Sequence, residues 1–172
     1  MNTINKPPTR FGLETCNDFY EKLKWESKRL EDGWGIYDTF NFIVTAHHLY
    51  VDWIDRCGNS TVKDRKSRFP VSAKLVMQCV ADLANGNKHW QVNRPSSVER
   101  QIVKNVDKPM IGDYYSYFIA GPMIYVDFDN YSLSMSELMD LLLGYFKWIF
   151  EDEDMPFPLE LENQLDSRKL SN

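Results

Sequence analysis

His47, His48 and His89 are the three imidazoles of this 172-residue chain, and imidazole is the side chain best suited to moving protons near neutral pH. His89 closes the stretch "DLANGNKH", Asp82 to His89, which sets a carboxylate, two carboxamides, an ammonium and an imidazole close together. Metal-free RNA cleavage needs a group to deprotonate the ribose 2′-hydroxyl and another to protonate the leaving oxygen. It also needs donors around the phosphorane. On that chemistry His89, Lys88, Asn85 and His47 are candidate catalytic residues, with Asn87 a candidate substrate contact.

The same residues also have an architectural reading. An apolar helical pattern over about 70–85 leads into them, and the expected arrangement stops that helix at Asn85 or Gly86. Gly86 or Asn87 would then take a left-handed C-cap conformation, with Lys88 and His89 just beyond, where the helix terminus favours cations. Were the helix instead to continue to Trp90, Asp82, Asn85 and His89 would share a stripe beside its buried face.

A second cluster lies in "TAHHLYVDW", Thr45 to Trp53. His48 and Asp52 are four residues apart and can pair on the helix face that also holds Asp38, Asn41 and Thr45. His47 falls in the middle of the apolar face, where a buried histidine bonded to a nearby polar group is the plainer reading. The sharper alternative brings His47 towards Asp82 or His89 across a helix contact. A metal is not expected. Adjacent His47 and His48 point about 100° apart on a helix, and no H-E-x-x-H motif is present.

The basic run "KDRKSR" offers Lys63, Arg65 and Lys66 as candidate phosphate contacts on a polar connection, where solvated charge is the commoner use. No phosphate-cradling glycine loop, nucleophile elbow or Cys–His pair is evident, so no cofactor is expected. Cys16, Cys57 and Cys79 show no paired or metal-type spacing, and the odd number fits a reducing, cytoplasmic setting. Cys79 falls on an apolar face as a small hydrophobe.

These groups must be positioned by a fold whose elements are largely readable. Thr15 caps a first helix with Asp18 in its first turn, Phe19, Leu23 and Leu30 as its stripe, and "EDG" at 31–33 as its end. A second helix spans about 35–56, with Ile36, Phe40, Ile43, His47, Tyr50 and Ile54 on one face. Phe42, Leu49 and Trp53 cover much of the rest, as in a helix central to a bundle. Pro70 suits the first turn of the third helix, which turns Leu75, Val76, Cys79, Val80 and Leu83 inward.

Past Trp90 the character becomes β: "ERQIVKNV", "YYSYFIA" and "MIYVDFD" are rich in branched and aromatic residues, and "AGP" at 120–122 divides the last two. "SMSE", Ser134 to Glu137, is a capping box before a final helix that runs to about 151. The expected fold is therefore α+β, mainly α: a four-helix bundle-like core with a β-hairpin or small antiparallel sheet inserted before the last helix. Residues 1–154 form a single globular domain, and 155–172 an acidic, peripheral tail.

Charge sets a boundary on partners. Residues 1–150 carry 18 basic and 18 acidic side chains, whereas 151–172 carry two and seven, so the net charge of −5 belongs to the tail. A globally basic nucleic-acid binder is excluded; a local basic patch is not. The acidic "EDED" at 151–154 could engage a basic partner, although a solvated helix exit explains it as well. No apolar run long enough for a membrane span or a signal peptide is present.

The order of helices together with "ANGNKH" resembles the HEPN superfamily of compact helical domains, many of them metal-independent RNases of bacterial toxin–antitoxin and phage-defence systems. That family's hallmark is an Arg followed, four to six residues on, by a His, often with Asn or Asp after the Arg. Asn85 and His89 match the later part of the motif; the permitted Arg positions hold Ala84, Leu83 and Asp82. A β segment also intervenes before the last helix. The resemblance covers about residues 15–150 in architecture and implies a divergent RNA-cleaving or RNA-binding domain, with Lys88 or a distant Arg replacing the missing cation. The alternative is a non-catalytic protein-interaction or neutralising module on the same scaffold, with a homodimer across an unpaired strand edge as one arrangement.

Overall fold

The computed structural model describes residues 12–32, 35–89, 101–107, 124–152 and 155–170, with positions 32 and 87–89 described as backbone alone. The chain folds into a mainly helical α+β domain. Its elements are α1 (Cys16–Asp32), α2 (Ile36–His48), a π-helical turn (Leu49–Trp53), α3 (Ile54–Cys57), α4 (Ser60–Ser67) and α5 (Val71–His89). A three-stranded sheet comes next, β1 (Val103–Asp107), β2 (Tyr125–Phe128) and β3 (Tyr131–Ser134), then α6 (Met135–Phe150) and α7 (Leu159–Asp166).

Local chemistry explains the helix starts. Thr15 and Asp18 cap α1 reciprocally: the Asp18 N–H donates to Thr15 Oγ1 at 3.1 Å and the Thr15 N–H to Asp18 Oδ2 at 2.8 Å. At α6 the Ser134 N–H donates to Glu137 Oε2 at 2.8 Å, and the Glu137 N–H returns to Ser134 Oγ. Pro70 sits one residue ahead of α5, where its carbonyl accepts the Lys74 N–H.

The second helix is continuous through α2, the π turn and α3, and its buried face differs from the expected one. Phe42, Ile43, Ala46, Leu49 and Ile54 are buried, whereas Ile36 and Phe40 are exposed. A helix apolar around most of its circumference has no unique inward stripe, and the packing of α1 and α5 against α2 makes the choice. The π turn adds a residue to the coil, and Ile54, which follows it, is buried.

The connection at 57–69, expected to be a polar loop, contains α4, capped by the Asn59 side chain accepting the Val62 N–H at 2.9 Å. Val76, Cys79, Val80 and Leu83 of α5 are buried as expected, with Leu75 half-buried. α5 does not end at Asn85 or Gly86. It remains helical to His89, so the left-handed cap is corrected. A mid-helix glycine costs about 1 kcal/mol relative to alanine, which packing against α2 outweighs.

The sheet is antiparallel in the order β1–β2–β3. Val126, Phe128, Tyr131 and Leu133 point into the core, and a two-residue turn at Asp129–Asn130 joins β2 to β3, with Asp129 in the left-handed region at φ 46. The expected strand at "YYSYFIA" and the break at "AGP" lie outside the described residues.

The C-terminal segment is integrated into the fold, which corrects the peripheral tail. Leu165 of α7 is fully buried, and Phe157 packs edge-on against Trp148 and Phe69. Beyond α7, the Leu170 N–H donates to the Asn130 carbonyl and the Ser132 N–H to that of Arg168. Gly144 lets Leu161 approach α6 closely: a Cβ there would meet Leu161 Cδ2 at 2.6 Å. Among the described residues no helix is long and apolar enough to cross a membrane.

Candidate functional site

Helices α2 and α5 pack side by side, and their polar edges enclose a cavity of about 280 Å³ lined by Phe40, Val44, His47, His48, Ala84 and Asn85. Phe40, Val44, His47 and His48 recur at three- and four-residue intervals along α2, so they form one stripe. Opposite them, Ala84 leaves the room and Asn85 contributes its amide. Three residues singled out by type, His47, His48 and Asn85, therefore meet at one place although they come from helices about 40 residues apart. The helical backbone carries position 89 one turn beyond Asn85. The side chains of Asn87, Lys88 and His89 lie outside the described residues.

His48 is the best-defined member. Its Nδ1 lies 2.9 Å from Asp52 Oδ2, across the start of the π turn. The hydrogen bond from His48 holds the Asp52 carboxyl below its usual range against partial desolvation, and the charges of His48 and Arg56 act in the same direction. An ionised carboxylate can only accept, so Nδ1 carries the proton of the bond. In the neutral ring Nε2 then keeps its lone pair for another proton. Arg56 continues the stripe, its guanidinium 3.5 Å from Asp52 Oδ1. The line His48–Asp52–Arg56 leads to a second cavity, about 250 Å³, lined by Asp52, Trp53, Arg56 and Cys57. Arg56 is not among the residues singled out in the sequence, although its four-residue step from Asp52 is the available signal.

Other candidates have structural posts. Asp82 is 3% exposed and accepts the N–H groups of Ile102 at 2.7 Å and Val103 at 3.2 Å, with Gln78 Nε2 at 3.3 Å. It anchors the start of β1 to α5 instead of facing the His47–His48 cavity. Arg65 is 2% exposed, and its guanidinium donates to the carbonyls of Trp148 at 3.2 Å and Ile149 at 2.7 Å. Those carbonyls belong to the last turn of α6, where a cation opposes the partial negative charge of the terminus. A phosphate contact by Arg65 is thereby corrected, because its charge is spent inside the scaffold. Lys66 donates to the Tyr50 carbonyl at 2.6 Å and pairs with Asp55 at 2.5 Å, which ties α4 to the π turn and α3. Lys63 is exposed and lines neither cavity. The acidic exit of α6 is partly engaged: Glu151 accepts from Tyr20 Oη at 2.9 Å.

No three or more His, Cys, Asp or Glu side chains converge as a metal site among the described residues. What the cavity offers is an oriented imidazole, a second imidazole and an amide, a set suited to proton transfer and to holding an anionic oxygen. The fold and this cavity define a mainly helical α+β domain with a histidine-lined cleft. Comparison with protein-family models, curated proteins and solved structures finds no match to the chain.

Proposed function

We propose that the chain is a divergent HEPN-like RNA-cleaving or RNA-binding domain of the kind found in bacterial and phage-defence or toxin systems. The observation that carries this reading is the meeting of His47, His48 and Asn85 in one cavity, with His48 oriented by Asp52. In the proposed reaction His48 Nε2 takes the proton of a ribose 2′-hydroxyl, and the oxygen attacks the adjacent phosphorus. The 5′-oxygen leaves with a proton from a second imidazole, His47 or His89, and a 2′,3′-cyclic phosphate remains. The Asn85 amide donates to a non-bridging oxygen, while Lys88 and the exposed Arg56 supply the positive charge that the motif Arg would provide.

The test uses the full chain, a labelled single-stranded RNA and a chelator in the buffer. Cleavage to cyclic-phosphate ends is expected, with DNA of the same sequence left intact because it lacks the attacking hydroxyl. His48→Ala should slow cleavage by about 10²–10⁴-fold, the usual worth of a positioned general base, with an unchanged melting temperature. RNA neither cut nor bound, or a variant as active as the wild type, sinks the reading.

One observation favours the non-catalytic alternative. Ile36, Tyr37 and Phe40 are exposed, Tyr37 to 82%, beside an apolar groove of about 200 Å³ that reaches Val106, Ile124 and Met135. Exposed rings and branched side chains grouped this way suit a protein partner, a second copy of the chain included. Under this reading Tyr37→Ser abolishes complex formation, and the His48 variant has no effect.

A further inference from the structure

Cys16 is the first residue of α1 and Cys57 the last of α3, and α1 packs against α2 and the π turn that leads into α3. Two contacts show that they run antiparallel. Lys22 of α1 donates to Thr45 Oγ1 of α2 at 2.5 Å. One turn nearer the start of α1, Phe19 stacks on Trp53 with ring centroids 4.6 Å apart and planes 17° from parallel. One turn further, three residues back along α1 and four forward along the partner helix, the register opposes Cys16 to Cys57. Cys57 is the neighbouring side chain that, after burial, raises the Cys16 thiol, and Cys57 Sγ lies 3.1 Å from the Trp53 carbonyl oxygen. Both are free thiols, Cys57 exposed and Cys16 buried.

We propose that Cys16 and Cys57 form a peroxide-sensitive dithiol, an oxidative modification site that closes to an intramolecular disulfide. Cys57 meets the oxidant because it is exposed and lines the cavity it shares with Asp52, Trp53 and Arg56. The Cys57 thiolate attacks one oxygen of hydrogen peroxide and breaks the O–O bond. The product is a sulfenic acid, and the other oxygen leaves as hydroxide, which a proton converts to water. Cys16 then attacks the sulfenic sulfur, the S–S bond forms, and the sulfenic oxygen leaves as a second water with the Cys16 proton. Two electrons pass from the two sulfurs to the peroxide. Burial, followed by the neighbouring Cys57, pushes the Cys16 thiol up, so it keeps its proton and acts second. Cys79 takes no part: it is fully buried on α5, and desolvation holds its thiol well up. The bond would close a loop containing α1, α2 and the π turn, and would lock the helix carrying His48 and Asp52 onto α1.

The full chain is reduced, freed of reductant, treated with near-stoichiometric hydrogen peroxide, and alkylated with N-ethylmaleimide under denaturing conditions. The reduced chain takes up a maleimide at each of its three cysteines, and the oxidised chain at Cys79 alone. Tryptic mapping should recover a peptide pair joined through Cys16 and Cys57. The melting temperature should rise by roughly 5–10 °C, as a long-loop crosslink in a chain of this size produces, and fall back on reduction. Cys57→Ser should abolish both signals, and Cys16→Ala should leave a Cys57 sulfenic acid that dimedone traps. Cys16 alkylated in the oxidised chain, with Cys57 recovered as sulfinic acid or in an intermolecular dimer, overturns the proposal. That mapping is made on the wild type, so it decides the matter even where Cys16→Ala fails to fold.

Discussion

Arg65 donates to the main-chain carbonyl of Ile149 at 2.7 Å, across 84 residues of sequence, and neither residue is open to solvent. The bond joins α4 to the C-terminal turn of α6. A guanidinium can serve two carbonyls there because its donors lie in a fixed plane, and the terminal carbonyls concentrate negative charge.

Replacing Arg65 strands those carbonyls in the interior. Arg65→Ala should lower unfolding stability by about 3 kcal/mol, within the range for buried groups left without partners. Arg65→Lys should recover only part of the loss, since one ammonium cannot reproduce the fork. Urea unfolding of the two variants measures this, and equal stability of wild type and Arg65→Ala would refute it.

Asp82 holds β1 to α5 through the N–H groups of Ile102 and Val103. Asp82→Ala should destabilise the fold by about 2–3 kcal/mol, because both amides lose a charged acceptor. Hydrogen exchange at those two amides should accelerate more than exchange in α6. Uniform protection in the variant would show that Asp82 has no such anchoring role.

The Asp52 carboxyl is held down first by its hydrogen bond from His48, and by the charges of His48 and Arg56. A carboxyl with a folded pKa below its unfolded value of about 3.9 adds stability above that value and loses it as pH falls through the folded pKa. Because the pair is more than a third exposed, solvent damps the effect. In an NMR titration of the side-chain carboxyl carbon, the Asp52 midpoint should move upward in His48→Gln. An unmoved midpoint would mean that the dyad is absent in solution.

Phe157 fills the gap between Phe69, Tyr145 and Trp148, with ring centroids 5.1–5.8 Å away. Phe157→Ala should cost about 2 kcal/mol, below the full core value because the ring is half-buried. It should also release α7, read as faster proteolysis between Glu151 and Leu159. A variant as resistant as the wild type would return the segment to a peripheral role.

Much of the architecture is written in local pattern. The reciprocal cap of Thr15 with Asp18, the Ser134–Glu137 box and the branched residues of β1 and β2 each act within a few residues, so the sequence alone reveals them. The Asp129–Asn130 turn is a polar pair that follows "MIYVDFD", and "AGP", the expected break before that run, is a local stop signal outside the described residues. Gly86 is likewise a local stop signal, which tertiary contact overrides to carry α5 on to His89.

Of the candidate site, residue type and the His48–Asp52 step are visible in sequence, since four residues is one helical turn. The meeting of His47 and His48 with Asn85 is not, because it depends on which side of α2 packs against α5. A helix apolar around most of its circumference does not specify that side.

By itself, the amino-acid sequence determined the class of fold, the helix caps, the β insertion and the chemical groups at hand. Only the tertiary structure decided their employment: Arg65 and Asp82 inside the scaffold, His47 and His48 facing Asn85, Cys16 beside Cys57. The physical reason is range. Periodicity and capping are set by bonds a turn long, whereas a side chain's partner across the core is set by the register in which whole helices pack.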